Sequence, residues 1–129
     1  MSAVVVDTSV WVDYFRGQGI PLLDEALKRG AVMISPVVVA ELVSGAHRQR
    51  ERAALIDFLE ELPLCPDDRG HWLRVGELRR YCHEQGCSTS TPDAHIAQCA
   101  MDADALLFSR DHVFEIIARH SNLRLANDL

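Results

Sequence analysis

The chain has a single lysine, no Cys-x-x-Cys pair and no long apolar run, and each shortage narrows what the protein does. Lys28 is the lone lysine among 13 basic residues. A receiver-like phosphoacceptor also carries acids after its strands, but it needs a lysine late in the fold, and none is there. No apolar stretch approaches the roughly 20 residues that span a bilayer. The N-terminal segment has no basic start and brings in Asp7 and Asp13 early, so neither a membrane span nor an export signal is expected. Without such a signal, Cys65, Cys82, Cys87 and Cys99 read as reduced thiols, and the expected address is cytoplasmic. The spacings of Cys82, Cys87, His95 and Cys99 match no common zinc knuckle, and cysteine is among the most often buried residue types.

What is present describes one globular unit. At 129 residues, with 48% hydrophobic and 25% charged residues, the chain is long enough for one domain with a proper core and too short for two. A single domain over residues 1–129 is expected. The formal charge is −6, which argues against a broadly basic nucleic-acid surface. Arginines nevertheless cluster, as Arg48, Arg50 and Arg52 and as Arg69, Arg74, Arg79 and Arg80. They read as solvated helix faces with partners such as Glu51 and Glu77, with a local basic rim at Arg48, Arg50 and Arg52 as the alternative.

Short apolar runs alternate with longer amphipathic segments, the pattern of a parallel sheet between helices. "AVVV", "AVMIS", "LPLC", "ALLF" and "LRLA" read as five strands. Between them, "SVWVDYFR" is a short helix with Trp11, Val12 and Phe15 inward. "PLLDEALKRG" is a helix with a proline start and Gly30 as its stop. Ser35 and Pro36 form an N-cap and first-turn pair for "VVVAELVSGA". "RQRERAALIDFLEEL" is helical, and "HWLRVGELRRYCHEQ" follows the inward spacing Trp72, Val75, Leu78 and Tyr81 or Cys82, ending at Gly86. Thr91 and Pro92 open "DAHIAQCAMDA", in which Ala94, Ala97 and Ala100 allow close approach to the sheet, and "DHVFEIIARH" is the last helix. The result is a three-layer α/β domain.

Four acids stand where this pattern does not require them: Asp7, Glu41, Asp93 and Asp111. Asp7 and Asp111 follow apolar strands, so both belong at the carboxyl edge of a parallel sheet, where ligands bind in open α/β folds. Asp93 is the second residue of its helix, and Glu41 lies one turn beyond Val37 and Val38 on their inward face. Singly, Asp7 and Asp111 read as N-caps and Asp93 as a complement to a helix dipole. Jointly, carboxylates without cationic partners repel one another unless a cation lies among them. All-oxygen donors suit Mg²⁺ or Mn²⁺, which point to phosphoryl chemistry. These four account for four of the six net negative charges, so the remainder of the chain is nearly neutral.

In the stretches "VVVDTSVWVDYF", "ISPVVVAELVSG", "TPDAHIAQCA" and "LLFSRDHVF", the chain resembles a PIN domain, and within it the compact VapC ribonuclease toxins of bacterial toxin–antitoxin pairs. The resemblance covers nearly the whole chain. It implies a Rossmann-like, mostly parallel five-stranded sheet in the order 3-2-1-4-5, and an acidic metal pocket of Asp7, Glu41, Asp93 and Asp111. It places supporting hydroxyls at Thr8 or Ser9 and at Ser109. It further implies a homodimer, a small VapB-like antitoxin that blocks the pocket, and an RNA substrate, often tRNA or ribosomal RNA. The expected chemistry is metal-assisted attack of water on a phosphodiester, with Asp7 and Asp93 as direct ligands and Glu41 and Asp111 completing the site. Many relatives carry a further acid where this chain has Val113, so a second metal position has less support than the first.

Two readings compete with the toxin: a PIN nuclease in ordinary RNA processing, and a catalytically silent module whose acidic pocket grips a basic protein tail. No histidine is needed for the metal chemistry, so His95, His112 and His120 are expected to be surface or structural. Trp11, Tyr14 and Phe15 are expected in the core, with an antitoxin groove as their other use.

Overall fold

The computed structural model of the protein describes residues 3–126; the ends of the expected 1–129 domain lie outside the described residues. Strand β1 (Val4–Val6) leads directly into helix α1 (Thr8–Phe15). Helix α2 (Pro21–Lys28) precedes β2 (Val32–Met33), α3 (Pro36–Gly45) and α4 (Gln49–Glu60). Helices α5 (Arg69–Glu84) and α6 (Thr91–Asp102), strand β3 (Leu106–Phe108), helix α7 (Val113–Arg119) and strand β4 (Arg124–Leu125) complete the order. No helix among the described residues is long and apolar enough to cross a membrane.

The sheet is parallel throughout, in the order β2-β1-β3-β4. The expected strand "LPLC" is reduced to one parallel bridge, Ile34 to Leu64, in which Ile34 donates to the Pro63 carbonyl at 2.9 Å and Cys65 donates to Ile34 at 2.8 Å. Pro63 has no N–H, and Pro66 follows at once, so the ladder cannot lengthen there. With that bridge as the third position, the order is the expected 3-2-1-4-5.

The central strand explains the opening apolar run. Val4, Val5 and Val6 are all buried, as a strand covered on both faces requires. Ala94, Ala97 and Ala100 of α6 are fully buried, so the small residues do bring that helix close to the sheet. Gly30 and Gly86 end α2 and α5 at φ +66° and +85°, a left-handed conformation that glycine adopts without steric cost.

Two inward assignments are corrected. Phe15 is 43% exposed, although its ring stacks on Trp11 at 5.6 Å. A short helix closes one stripe on the core, and Val10 and Trp11 occupy it. On α5 the inward row is His71, Val75, Leu78 and Cys82, while Trp72 is 38% and Tyr81 44% exposed. The apolar stripe is therefore offset by one residue at the start of α5, where a histidine takes the buried place because it has partners there.

Candidate metal centre

Asp7 sits at the end of β1, where its N–H continues the ladder by donating to Phe108 at 2.9 Å. It occupies the N-cap position of α1, yet its side chain makes no capping bond. Instead, Asp7 Oδ2 accepts from Ser9 Oγ at 2.8 Å and from Ser109 Oγ at 2.9 Å. The adjacent, parallel strands β1 and β3 bring Ser109 to Asp7 across more than a hundred residues of sequence. Ser109 Oγ also accepts from the Asp111 N–H at 3.0 Å, which places Asp111 in the same turn. Arg110, unremarked in the sequence, supports that turn: its N–H donates to Ser9 Oγ at 3.1 Å, and its guanidinium engages Asp13 and Gln18.

Glu41, on α3, reaches the start of α1 beside Asp7 by accepting from Thr8 Oγ1 at 2.7 Å. Its expected burial among valines is not observed. The buried stripe of α3 is Val38 and Leu42, so Glu41 lies beside it in solvent and has no desolvation to offset. Asp93 is the third residue of α6, not the second, and Ser90 caps the helix by accepting from the Asp93 N–H at 3.1 Å. That S-x-x-D spacing is a capping-box signature that was legible in the sequence.

The electrostatics place the four acids in one field. Asp93 titrates above the ordinary carboxylate range, chiefly through burial; a hydrogen bond with Ser90 pulls it back, and the negative charges of Asp111, Asp7 and Glu41 push it further up. None of the ion pairs among the described residues includes any of the four. Asp7 Oδ1 and Glu41 Oε2 carry no protein hydrogen bond among the described residues, and Asp111 spends only Oδ1, on the Val113 N–H.

Such donors fit a hard cation by their chemistry, with oxygens that are unpaired and a charge that is uncompensated. They stand apart: among the described residues, only His71, His95 and Cys99 form a trio with donor atoms within 4.8 Å of one another. A cation that keeps several of its own waters suits the wider spacing of the acids.

The compact trio is a hydrogen-bonded chain. Ser35 Oγ lies 2.7 Å from His95 Nε2, His95 Nδ1 lies 2.7 Å from His71 Nε2, and His71 Nδ1 lies 2.8 Å from Asp102 Oδ2. The facing ring nitrogens point at each other. Cys99 Sγ is 3.9 and 3.6 Å from Nδ1 and Nε2 of His95, farther than the partners that these nitrogens meet at 2.7 Å. His95 is thus structural, as expected, and His71 is a partner that the sequence reading missed, since a histidine beside a tryptophan carries no local mark of burial. Burial, with the His71 ring beside it, lowers the His95 pKa to about 4.

At the outer end of this chain, burial opposes ionisation of Asp102. Hydrogen bonds from Arg74, Gln98 and His71, with the Arg74 charge, outweigh it and lower the pKa to about 2. A depressed carboxylate contributes stability above its unfolded value, and that contribution is lost as pH falls through the folded one. The wild type should therefore lose urea resistance between about pH 4 and 2, and Asp102→Asn should lose measurably less over that window; equal losses would show that Asp102 is not the group responsible.

The arginines largely follow the solvated-face reading. Arg80 pairs with Glu77 and Glu84, and Arg74 with Asp102. In the cluster whose alternative use is a basic rim, Arg48 lies 3.7 Å from Glu51 and Arg52 donates to the Ala46 carbonyl at 3.0 Å.

The fold is a parallel α/β sheet with acids beyond the carboxyl ends of its central strands, and the PIN domain family profile matches residues 4–120. The chain belongs to the PIN domain family. Among curated proteins it is 32% identical to a VapC ribonuclease of Mycobacterium bovis and to ribonuclease VapC11 of Mycobacterium tuberculosis, each alignment covering 96% of this chain and 98% of the relative. Among solved structures it is similar to the DNA-bound VapBC of Salmonella typhimurium, with a TM-score of 0.83, 18% identity and full coverage of both chains. It is also similar to VapBC-5 of Mycobacterium tuberculosis, with a TM-score of 0.69, 26% identity and coverage of 98% and 99%.

Proposed function

We propose that the protein is a Mg²⁺- or Mn²⁺-dependent endoribonuclease, the toxin of a VapBC-like toxin–antitoxin pair. One observation carries the reading: the charges of Asp7, Glu41 and Asp111 all act on Asp93 at the carboxyl edge of the sheet, and among the described residues no cation pairs with any of the four. The VapC relatives, ribonucleases by name, support RNA as the substrate, with tRNA or ribosomal RNA as the expected class. The VapBC complexes among the structural neighbours support an antitoxin as partner; the homodimer rests on the family resemblance alone.

In this reading Asp7 and Asp93 hold the cation directly, and Glu41 and Asp111 complete its surroundings. The bound divalent cation supplies an acidified water and offsets charge on the scissile phosphate. Ser9 and Ser109 occupy Asp7 Oδ2 and leave Oδ1 as the oxygen available to a cation, while Thr8 restrains the exposed Glu41. Asp93 keeps its place through the Ser90 cap. The absence of a histidine or lysine among these contacts leaves proton transfer to water and to the carboxylates.

The test uses purified protein freed of antitoxin. RNA should be cut with Mg²⁺ or Mn²⁺ and left intact in EDTA, and restoring the metal should restore cutting. Full activity in EDTA would sink the reading.

A further inference from the structure

The Ser35, His95, His71, Asp102 chain links three helices, two of which carry acids of the proposed centre. Ser35 caps α3, the helix of Glu41, through the N–H groups of Val37 and Val38. His95 belongs to α6, the helix of Asp93, and His71 opens α5. Ser35, His71 and His95 are each completely buried.

The proton arrangement has one consistent direction. Ser35 Oγ already accepts from two backbone N–H groups, so its own hydrogen goes to His95 Nε2. His95 then carries its hydrogen on Nδ1 and donates to His71 Nε2, and His71 in turn donates from Nδ1 to Asp102. Asp102 is anchored outside by Arg74, with bonds of 2.9 and 3.0 Å, and by Gln98 at 2.9 Å. Every member is satisfied, and such a network specifies one arrangement of its helices, because any slip leaves a buried polar group unpaired. The ring of His95 is further held by Trp72, stacked at 4.6 Å and 10°.

Helix geometry converts this anchoring into a setting of the cleft. Residues two apart lie about 200° around a helix, so Asp93 and His95 face opposite sides of α6. A helix pinned through His95 has its rotation fixed, and the direction of Asp93 with it.

We propose that His71 and His95 are positioning residues for the acidic centre: bridged from Ser35 to Asp102, they set α6 against α3 and thereby the placing of Asp93 relative to Glu41. The role rests on the four-acid metal reading above and deepens it. Neither histidine touches substrate or cation.

Mn²⁺ binding to RNA-free protein, followed by electron paramagnetic resonance, is the readout, since loss of stability alone does not move it. Ser35→Ala and His71→Phe should weaken Mn²⁺ binding about tenfold, the scale seen when groups supporting a metal ligand are removed. Ser35→Thr, which keeps the hydroxyl, should return to within about twofold of wild type on the same scale. Leu23→Ala, a core change in α2 that matches the loss of urea resistance, should also stay within about twofold. If a buried variant does not fold, Asp102→Ala at the outer end carries the test, with weakening again expected. Folded chain variants that bind like wild type, or an equal weakening in Leu23→Ala, overturn the positioning role. A wild type that takes up no Mn²⁺ overturns the four-acid reading itself, an outcome distinct from normal uptake that the variants leave unmoved.

Discussion

Asp7→Asn is expected to lower metal-dependent RNA cleavage by at least about 100-fold, since even groups that merely support a metal ligand are worth about 10- to 100-fold, while the fold survives. The fold survives because the side chain of Asp7 caps nothing. An asparagine oxygen still accepts from Ser9 or Ser109, and removing one of four like charges relieves repulsion. Asp93 reports the same change from the other side: with one of the charges that push it up removed, its carboxyl should titrate closer to the ordinary range. Cleavage at saturating Mn²⁺ and urea unfolding, measured on the same preparation, separate loss of chemistry from loss of fold. A folded Asp7→Asn protein that cuts RNA at the wild-type rate would remove Asp7 from the centre.

Trp11→Ala should be the most damaging single change to stability, costing about 3–5 kcal/mol. Trp11 is fully buried and anchors an aromatic group, with Tyr14 at 5.9 Å, Phe15 at 5.6 Å and Phe58 at 5.7 Å. That cluster fastens α1, which begins beside Asp7, to α4. Domains of this kind have total stabilities of about 5–15 kcal/mol, so the loss is a large fraction of the whole. Trp11→Phe should cost much less, because Trp11 Nε1 has no hydrogen-bond partner to lose among the described residues. Urea midpoints at constant m-value would check both, and a Trp11→Ala cost below about 1 kcal/mol would show that the site collapses around the cavity.

Much of the scaffold was legible because local signals agreed with one another. Ser35-Pro36, Thr91-Pro92, Gly30 and Gly86 mark helix ends by backbone chemistry that needs no distant partner, and α2, α3, α5 and α6 begin or end accordingly. "LPLC" was misread in extent because its apolar character signals a strand while its prolines deny it the ladder. Of the alternatives Tyr81 and Cys82, Cys82 faces inward, while Trp72 does not: hydrophobicity alone does not mark burial, and the inward place at the start of α5 belongs to a polar ring.

The candidate centre divides in the same way. Asp7 and Asp111 stand out because they follow apolar strands at once or within three residues and form a group with two other acids, although each alone reads as a cap; the hydroxyls Thr8, Ser9 and Ser109 bond the acids or their turn. Glu41 is expected on the inward face of its helix but is exposed; its place in the group comes from Thr8 and from the field it exerts at Asp93.

By itself the sequence determined the alternation of strand and helix, the helix caps, the central strand and the excess of acids at strand ends, because each depends on neighbours within a few residues. Only the tertiary structure decided that four acids from distant segments share one field, and that Ser35, His95, His71 and Asp102 form a single buried chain. The hydrogen bonds of that chain and of Ser109 with Asp7 join residues 24 to 102 positions apart, and a pairing of polar groups at that range leaves no periodicity along the chain. It exists only once the parallel strands and the helices that cover them have brought its members within hydrogen-bonding distance.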